Sequence, residues 1–186
     1  MKIKRILVTG ANGAVGSDLV PTLISSGFEV LATDIDCPVD NDFKLHYMDI
    51  RKPADIQKVF NKFKPHAVVH LAAEVDVEYC ELNPRHAKET NADGTENIAK
   101  ACRKFGATLL YISSIGVFDG KKTGAYIETD KPNPLNIYGK TKYKGELSVQ
   151  KYSKNYFILR AGWMIGGYEK DKKFVVKIIR LIKKGV

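Results

Sequence analysis

The chain opens with MKIKRILVTGANGAVG, residues 1–16. Residues 3–8 are an apolar, β-branched run with charge before it and glycine after it, the pattern of a strand buried on both faces. Residues 9–16 then turn the chain into an apolar-periodic segment, Val15, Leu19, Val20, Leu23 and Ile24, with helical spacing. Between strand and helix the glycines fall as G-x-x-G-x-x-G at Gly10, Gly13 and Gly16. A turn without side chains leaves backbone N–H groups bare at the positive end of a helix dipole, where a pyrophosphate can be held. The simpler alternative is a tight turn only. Its place between strand and helix favours the phosphate cradle, formed by Gly10, Asn12, Gly13, Ala14, Val15 and Gly16.

The rest of the chain continues the alternation. The first helix ends near Ser26 and Gly27, although Pro21 inside it removes a hydrogen bond, a feature the sequence does not explain. Residues 28–33 are a second strand that delivers Asp34, about 20 positions beyond the glycine turn, where ribose hydroxyls are held. A carboxylate there repels a 2′-phosphate, so NAD is preferred to NADP; Asp36 competes for the role. Strands follow at 43–48, 66–71, 107–113 and 156–160. Helices follow at 52–63, 84–105, 136–152 and 171–184, the last basic and amphipathic. Strands alternating with helices predict an α/β fold with a doubly wound parallel sheet of Rossmann type.

Composition bounds the function. The 186 residues suffice for one domain with a core, and 44% hydrophobic with 27% charged residues is ordinary for a globular protein. No apolar run approaches the roughly 20 residues needed to span a bilayer. Cys37, Cys80 and Cys102 are widely spaced and form no C-x-x-C, which argues for free thiols in a reducing, cytoplasmic compartment and against structural zinc. The four histidines show no ligand spacing, so no metal site is expected. The net charge of +9 is concentrated in residues 140–186, with 13 basic residues against 3 acidic. Such a tail fits a solvated helix face better than a nucleic-acid surface, and a nucleotide-linked substrate would also profit from its field.

Two side chains carry candidate chemistry. Tyr138 and Lys142 stand four apart, on one face of the helix at 136–152. A neighbouring ammonium stabilises phenolate and brings a tyrosine towards neutrality as an acid or base. The pattern is cheap in a lysine-rich chain, and Tyr168 with Lys172 repeats it, but in a glycine loop rather than at a helix start. Ser114 ends the fifth strand, where its hydroxyl can hold a substrate carbonyl; Ser113 is the fallback. Gly139-Lys140-Thr141 looks like the end of a triphosphate-binding loop, yet Pro134 stands where that loop needs glycine.

With these residues in place, the chain resembles the extended short-chain dehydrogenase/reductase family of NAD-dependent sugar-nucleotide epimerases, dehydratases and reductases. The likeness rests on residues 9–16, Asp34, Asp49-Ile50, His70-Leu71-Ala72-Ala73, Asn91 with Gly94-Thr95, Ser113-Ser114, Tyr138 with Lys142, and Leu159-Arg160. Residues 111–120 and 159–163 look most like its dTDP-4-dehydrorhamnose reductase branch. The resemblance implies that Asp49 and Ile50 hold adenine, and that Leu71, Ala72 and Ala73 line the nicotinamide. It implies that Asn91, Tyr138 and Lys142 also belong to the cofactor site. Tyr138 would pass a proton to or from a sugar oxygen while hydride moves, with Ser114 and Trp163 touching substrate.

Ile115-Gly116 stands where the family's dehydratases carry an Asp-Glu pair, which argues against dehydration. The reductase branch usually has Thr-Asp-Tyr where this chain has Ser114-Ile115-Gly116, a difference that bears on the sugar. Family members continue well beyond residue 186. Residues 1–186 therefore read as the dinucleotide-binding domain, with 161–186 the start of a truncated substrate-binding region. The expected activity is 4-keto reduction of a nucleotide-linked sugar. The alternatives are a 4-epimerase or a cofactor-binding regulatory subunit without turnover. By the same analogy the chain is expected to pair as a homodimer; its charge pattern and the lack of a long apolar run predict no nucleic-acid or membrane partner.

Overall fold

The computed structural model describes residues 3–164 and 174–184. Six strands, β1 (Arg5–Thr9), β2 (Glu29–Asp34), β3 (Leu45–Tyr47), β4 (Ala67–His70), β5 (Thr108–Ser114) and β6 (Tyr156–Ala161), form one sheet. Their order is β3-β2-β1-β4-β5-β6, and every pairing is parallel. This is the doubly wound α/β fold that alternating strands and helices predict. The helices are α1 (Ala14–Ser25), α2 (Pro53–Phe63), α3 (Val77–Leu82), α4 (Pro84–Ala87), α5 (Gly94–Phe105), α6 (Ile137–Tyr152) and α7 (Phe174–Lys183).

Strand β1 is central, and its side chains alternate between two cores. Leu7 faces Phe60 of α2, Ile98 and Cys102 of α5, and Val149 of α6. Ile6 and Val8 face the other way, onto Val20 and Leu23 of α1. Helix α6 lies close against β5 because it carries glycine where other helices carry bulk. A Cβ on Gly145 would run into the Tyr111 hydroxyl.

The structure departs from the sequence expectations in a few places. The third strand is shorter than 43–48, because β3 has only β2 to pair with. The helix expected over 84–105 is α4 and α5 joined by a π-helical turn, Lys88–Asp93. Helix α3 was not expected; it is only six residues long, and Asp76 starts it by accepting from the Tyr79 amide at 2.9 Å. Pro21 sits inside α1 on its exposed side, where water can take the backbone group left over. Tyr168 and Lys172 lie outside the described residues. Among the described residues no helix is long and apolar enough to cross a membrane, no group of side chains is arranged to hold a metal, and the three cysteines are free.

Candidate active site

Because the strands are parallel, their C-terminal ends share one edge of the sheet. Along it lie the glycine turn after β1, Asp34 at the end of β2, Leu71 to Ala73 after β4 and Ser114 ending β5. The order of strands reverses between β1 and β4, where open α/β sheets form a ligand crevice.

The turn is tight. Gly10 has φ +68°, and a Cβ there would stand 2.5 Å from the Ala72 nitrogen, so the turn lies directly on the chain leaving β4. Thr9 fastens the two segments. Its carbonyl accepts from the Leu71 amide at 3.1 Å and its hydroxyl from the Ala72 amide at 3.3 Å. The same hydroxyl lies 2.7 Å from His70 Nδ1, while His70 Nε2 lies 3.1 Å from the Thr95 hydroxyl. Burial pushes the His70 pKa down to about 3, aided by nearby Lys142, so this histidine is a neutral strut.

Helix α1 starts from Gly13 without a side-chain cap, which leaves its first-turn amides free of a side-chain acceptor. Among the described residues a Cβ on Gly13 would meet only the Gly10 carbonyl, at 3.3 Å. Among the described residues no side chain comes within 4 Å of a Cβ placed at Gly13, so the turn fits an anionic ligand. One amide is already engaged: the Asn12 N–H donates to Asp34 Oδ2 at 3.0 Å. Asp34 Oδ1 accepts from the amides of Ile35 and Asp36 at 2.8 and 3.1 Å. The Asn12 side chain donates to Asp36 at 3.2 Å, so both candidate carboxylates gather beside the turn.

Asp49 and Ile50 follow β3, both buried. Both Asp49 oxygens accept from the Arg51 guanidinium at 2.9 Å. The guanidinium's hydrogen bonds hold this carboxyl below its usual pKa. Beside it opens a polar cleft of about 470 Å³ lined by Tyr47, Asp49, Arg51, Lys52, Glu89 and Asp93.

Asn91, in the π turn, is wholly buried, and its amide is used within the fold. It accepts from the Glu74 amide at 2.8 Å, and donates to the Glu74 carbonyl at 2.9 Å and the Thr141 hydroxyl at 3.2 Å. It thereby ties the segment after β4 to α6.

Helix α6 begins where the Asn136 side chain accepts from the Gly139 amide at 2.7 Å. Glu81 of α3 accepts from the Ile137 amide at 2.6 Å, a second tie to that end. This start places Tyr138 beside Ser114. Burial raises the Tyr138 pKa, and a hydrogen bond from Ser114 works against the rise. The expectation that Lys142 would lower it differs from the structure. Lys142 is itself buried, its ammonium 4.4 Å from the centre of the Tyr111 ring, and burial pushes its pKa down to about 7. Desolvation works against both charged forms.

Ser113 points away from the crevice and donates to Glu146 at 2.6 Å, which leaves Ser114 at the cleft. Trp163 is 75% exposed and is not a core tryptophan. Glu74, Glu81 and Glu146 shape the site without having been singled out in the sequence, and Thr141 and Arg160 do so in roles the sequence reading did not give them. Only Glu146, four residues past Lys142, carried a spacing that could have marked it.

The chain matches the family described as RmlD substrate binding domain over residues 4–185. It belongs to that family. Among RmlD-type relatives it is 34% identical, over 180 residues, to a dTDP-4-dehydrorhamnose reductase of Aggregatibacter actinomycetemcomitans, covering 96% of this chain and 57% of the relative. It is also 34% identical to methionine adenosyltransferase 2 subunit beta of Xenopus tropicalis, covering 95% of this chain and 52% of that one. The dTDP-4-dehydrorhamnose reductase of Bacillus anthracis, solved in complex with NADP, superposes with a TM-score of 0.88 at 34% identity. That match covers 98% of this chain and 61% of the other. The chain thus spans little more than half the length of the curated relatives it matches.

Proposed function

We propose that this RmlD-type domain binds a nicotinamide dinucleotide along the C-terminal edge of its sheet and reduces the 4-keto group of a nucleotide-linked sugar. One observation carries the reading: the uncapped glycine turn and the Ser114–Tyr138–Lys142 group converge on the same strand ends. The relationship to dTDP-4-dehydrorhamnose reductases supports the sugar class.

Gly10, Gly13, Ala14, Val15 and Gly16 take the pyrophosphate, and the Asn12 side chain flanks it. Asp34 takes the ribose hydroxyls of the adenosine. Arg51 already engages the Asp49 carboxylate, so Asp49 and Ile50 offer adenine a shaped turn rather than a free acceptor. Leu71, Ala72 and Ala73 line the nicotinamide end. Asn91 serves that end indirectly, by holding Glu74. When bound, the cofactor supplies the hydride. Tyr138 gives its proton to the sugar oxygen, Ser114 holds that oxygen, and Lys142 bonds the nicotinamide ribose. Trp163 meets the sugar nucleotide, with residues 161–186 beginning the substrate-binding region.

Asp34 and Asp36, both beside the turn, favour NADH, because a 2′-phosphate would meet two carboxylates. The relative solved with NADP favours NADPH. Titrating the protein with each cofactor by nicotinamide fluorescence decides between them. Assaying dTDP-4-dehydrorhamnose with the better one tests turnover. Tight binding of NADH and conversion of the keto sugar are expected; binding of neither cofactor overturns the reading. Binding without turnover would favour a cofactor-binding subunit, and one relative of the chain is named as a subunit, that of methionine adenosyltransferase 2.

A further inference from the structure

A second charged cluster lies behind the Tyr138–Lys142 pair. Glu146 follows Lys142 by one helical turn and is fully buried. Its carboxylate accepts from Ser113 at 2.6 Å and from Arg160 at 3.0 and 2.8 Å. Arg160 is itself seated, with its guanidinium 5.0 Å from the centre of the Phe118 ring and a hydrogen bond to the Glu128 carbonyl at 3.3 Å. Three donors thus converge on one buried carboxylate, two of them from a guanidinium.

The surroundings of Lys142 are otherwise poor in negative charge. Tyr138 and Glu146 share its helix face, the Tyr111 ring faces it from β5, and neutral His70 approaches from β4. The π turn presents uncharged Asn91, Cys80 of α3 lies towards Tyr138, and Arg160 of β6 is turned onto Glu146. We propose that Glu146, held in place by Arg160 and Ser113 one helical turn from Lys142, is the positioning residue that keeps the buried Lys142 ammonium charged up to neutral pH. Glu146 touches neither crevice nor ligand; it acts through Lys142. Burial drives Lys142 towards its neutral form, and Glu146 is the charge that opposes this. The value of a charged Lys142 to turnover rests on the function proposed above. The charge state itself does not.

The test is a pH titration of the protein without cofactor, labelled with 13C at lysine Cε and read by NMR, with Lys142→Arg assigning the signal. In the wild type, Lys142 is expected to titrate near neutrality or above. Glu146→Gln should lower its pKa by about one unit or more, cutting the protonated fraction at neutral pH several-fold. Ser113→Ala, which keeps both charges, should leave the pKa nearly where it was. Glu146→Gln combined with Arg160→Gln avoids an unpaired guanidinium and should still lower the pKa, by less, because the repulsion from that guanidinium goes too. An unchanged Lys142 pKa in either glutamine variant overturns the proposal. So does a wild-type Lys142 that titrates well below neutrality, a result that needs no variant. Failure of NADH binding or of turnover would count against the proposed function and leave this titration standing.

Discussion

Asn91 grips the backbone of Glu74 from both sides, accepting from its N–H at 2.8 Å and donating to its C=O at 2.9 Å. The pair bridges the segment after β4 to the π turn. An asparagine read from sequence as a cofactor contact thus spends its amide on the fold. Replacing Asn91 with leucine leaves buried backbone groups unpaired. A loss of about 2–4 kcal/mol is expected from urea unfolding. NADH affinity should fall with it, because Leu71, Ala72 and Ala73 are no longer held in place.

The glycines of the first turn separate packing from binding. A Cβ at Gly10 would stand 2.5 Å from the Ala72 nitrogen, and one at Gly16 would stand 2.5 Å from the Ala11 carbonyl oxygen. Neither neighbour is a movable side-chain tip. Gly10→Ala and Gly16→Ala should each destabilise by about 2–4 kcal/mol, read by thermal or urea unfolding. Among the described residues Gly13→Ala meets only the Gly10 carbonyl, at 3.3 Å. It should unfold nearly as the wild type does while binding NADH more weakly.

Tyr138→Phe removes one oxygen and keeps the ring. If the phenol is the proton donor, turnover of the keto sugar should drop by about 10²–10⁴-fold. Cofactor binding, measured by nicotinamide fluorescence, should change little. Equal turnover in the variant would remove Tyr138 from the chemistry.

Two buried bases make stability depend on pH in a definite direction. The His70 pKa falls from 6.5 to about 3, and that of Lys142 from 10.5 to about 7. Between each pair of values the unfolded chain binds the proton and the folded chain does not, so stability rises with pH across both windows. Acidification below 6.5 should therefore weaken the fold through His70. Urea titrations of His70→Gln at several acidic pH values should show a shallower slope. The limiting slope for one proton is about 1.4 kcal/mol per pH unit. Lys142→Met should stabilise the protein most at or below neutral pH, with the gain shrinking towards pH 10.5.

The fold was legible because its signals are local. Residues 3–8 announce a buried strand, found as β1 over Arg5–Thr9, and Pro53 starts α2 where a first-turn proline belongs. What escaped depends on partners distant in sequence. β3 stops at Tyr47 because it is an edge strand, and α3 is too short to show periodicity. The spacing of Tyr138 and Lys142 was visible, and their convergence with Ser114 followed from strand order. Their titration was not visible, since burial is set by Tyr111, His70 and the packed glycines of α6. Glu146 and Arg160 look like two surface charges until α6 and β6 are brought together.

The central place of β1 bears on how the protein is made. Both of its partners, β2 and β4, leave the ribosome after it does. No two neighbours in this sheet can zip together from a tight turn, because parallel strands must wait for a crossover to be synthesised. The nascent chain therefore carries Ile6, Leu7 and Val8 uncovered while the segment up to His70 emerges, an interval in which a chaperone has the most to hold.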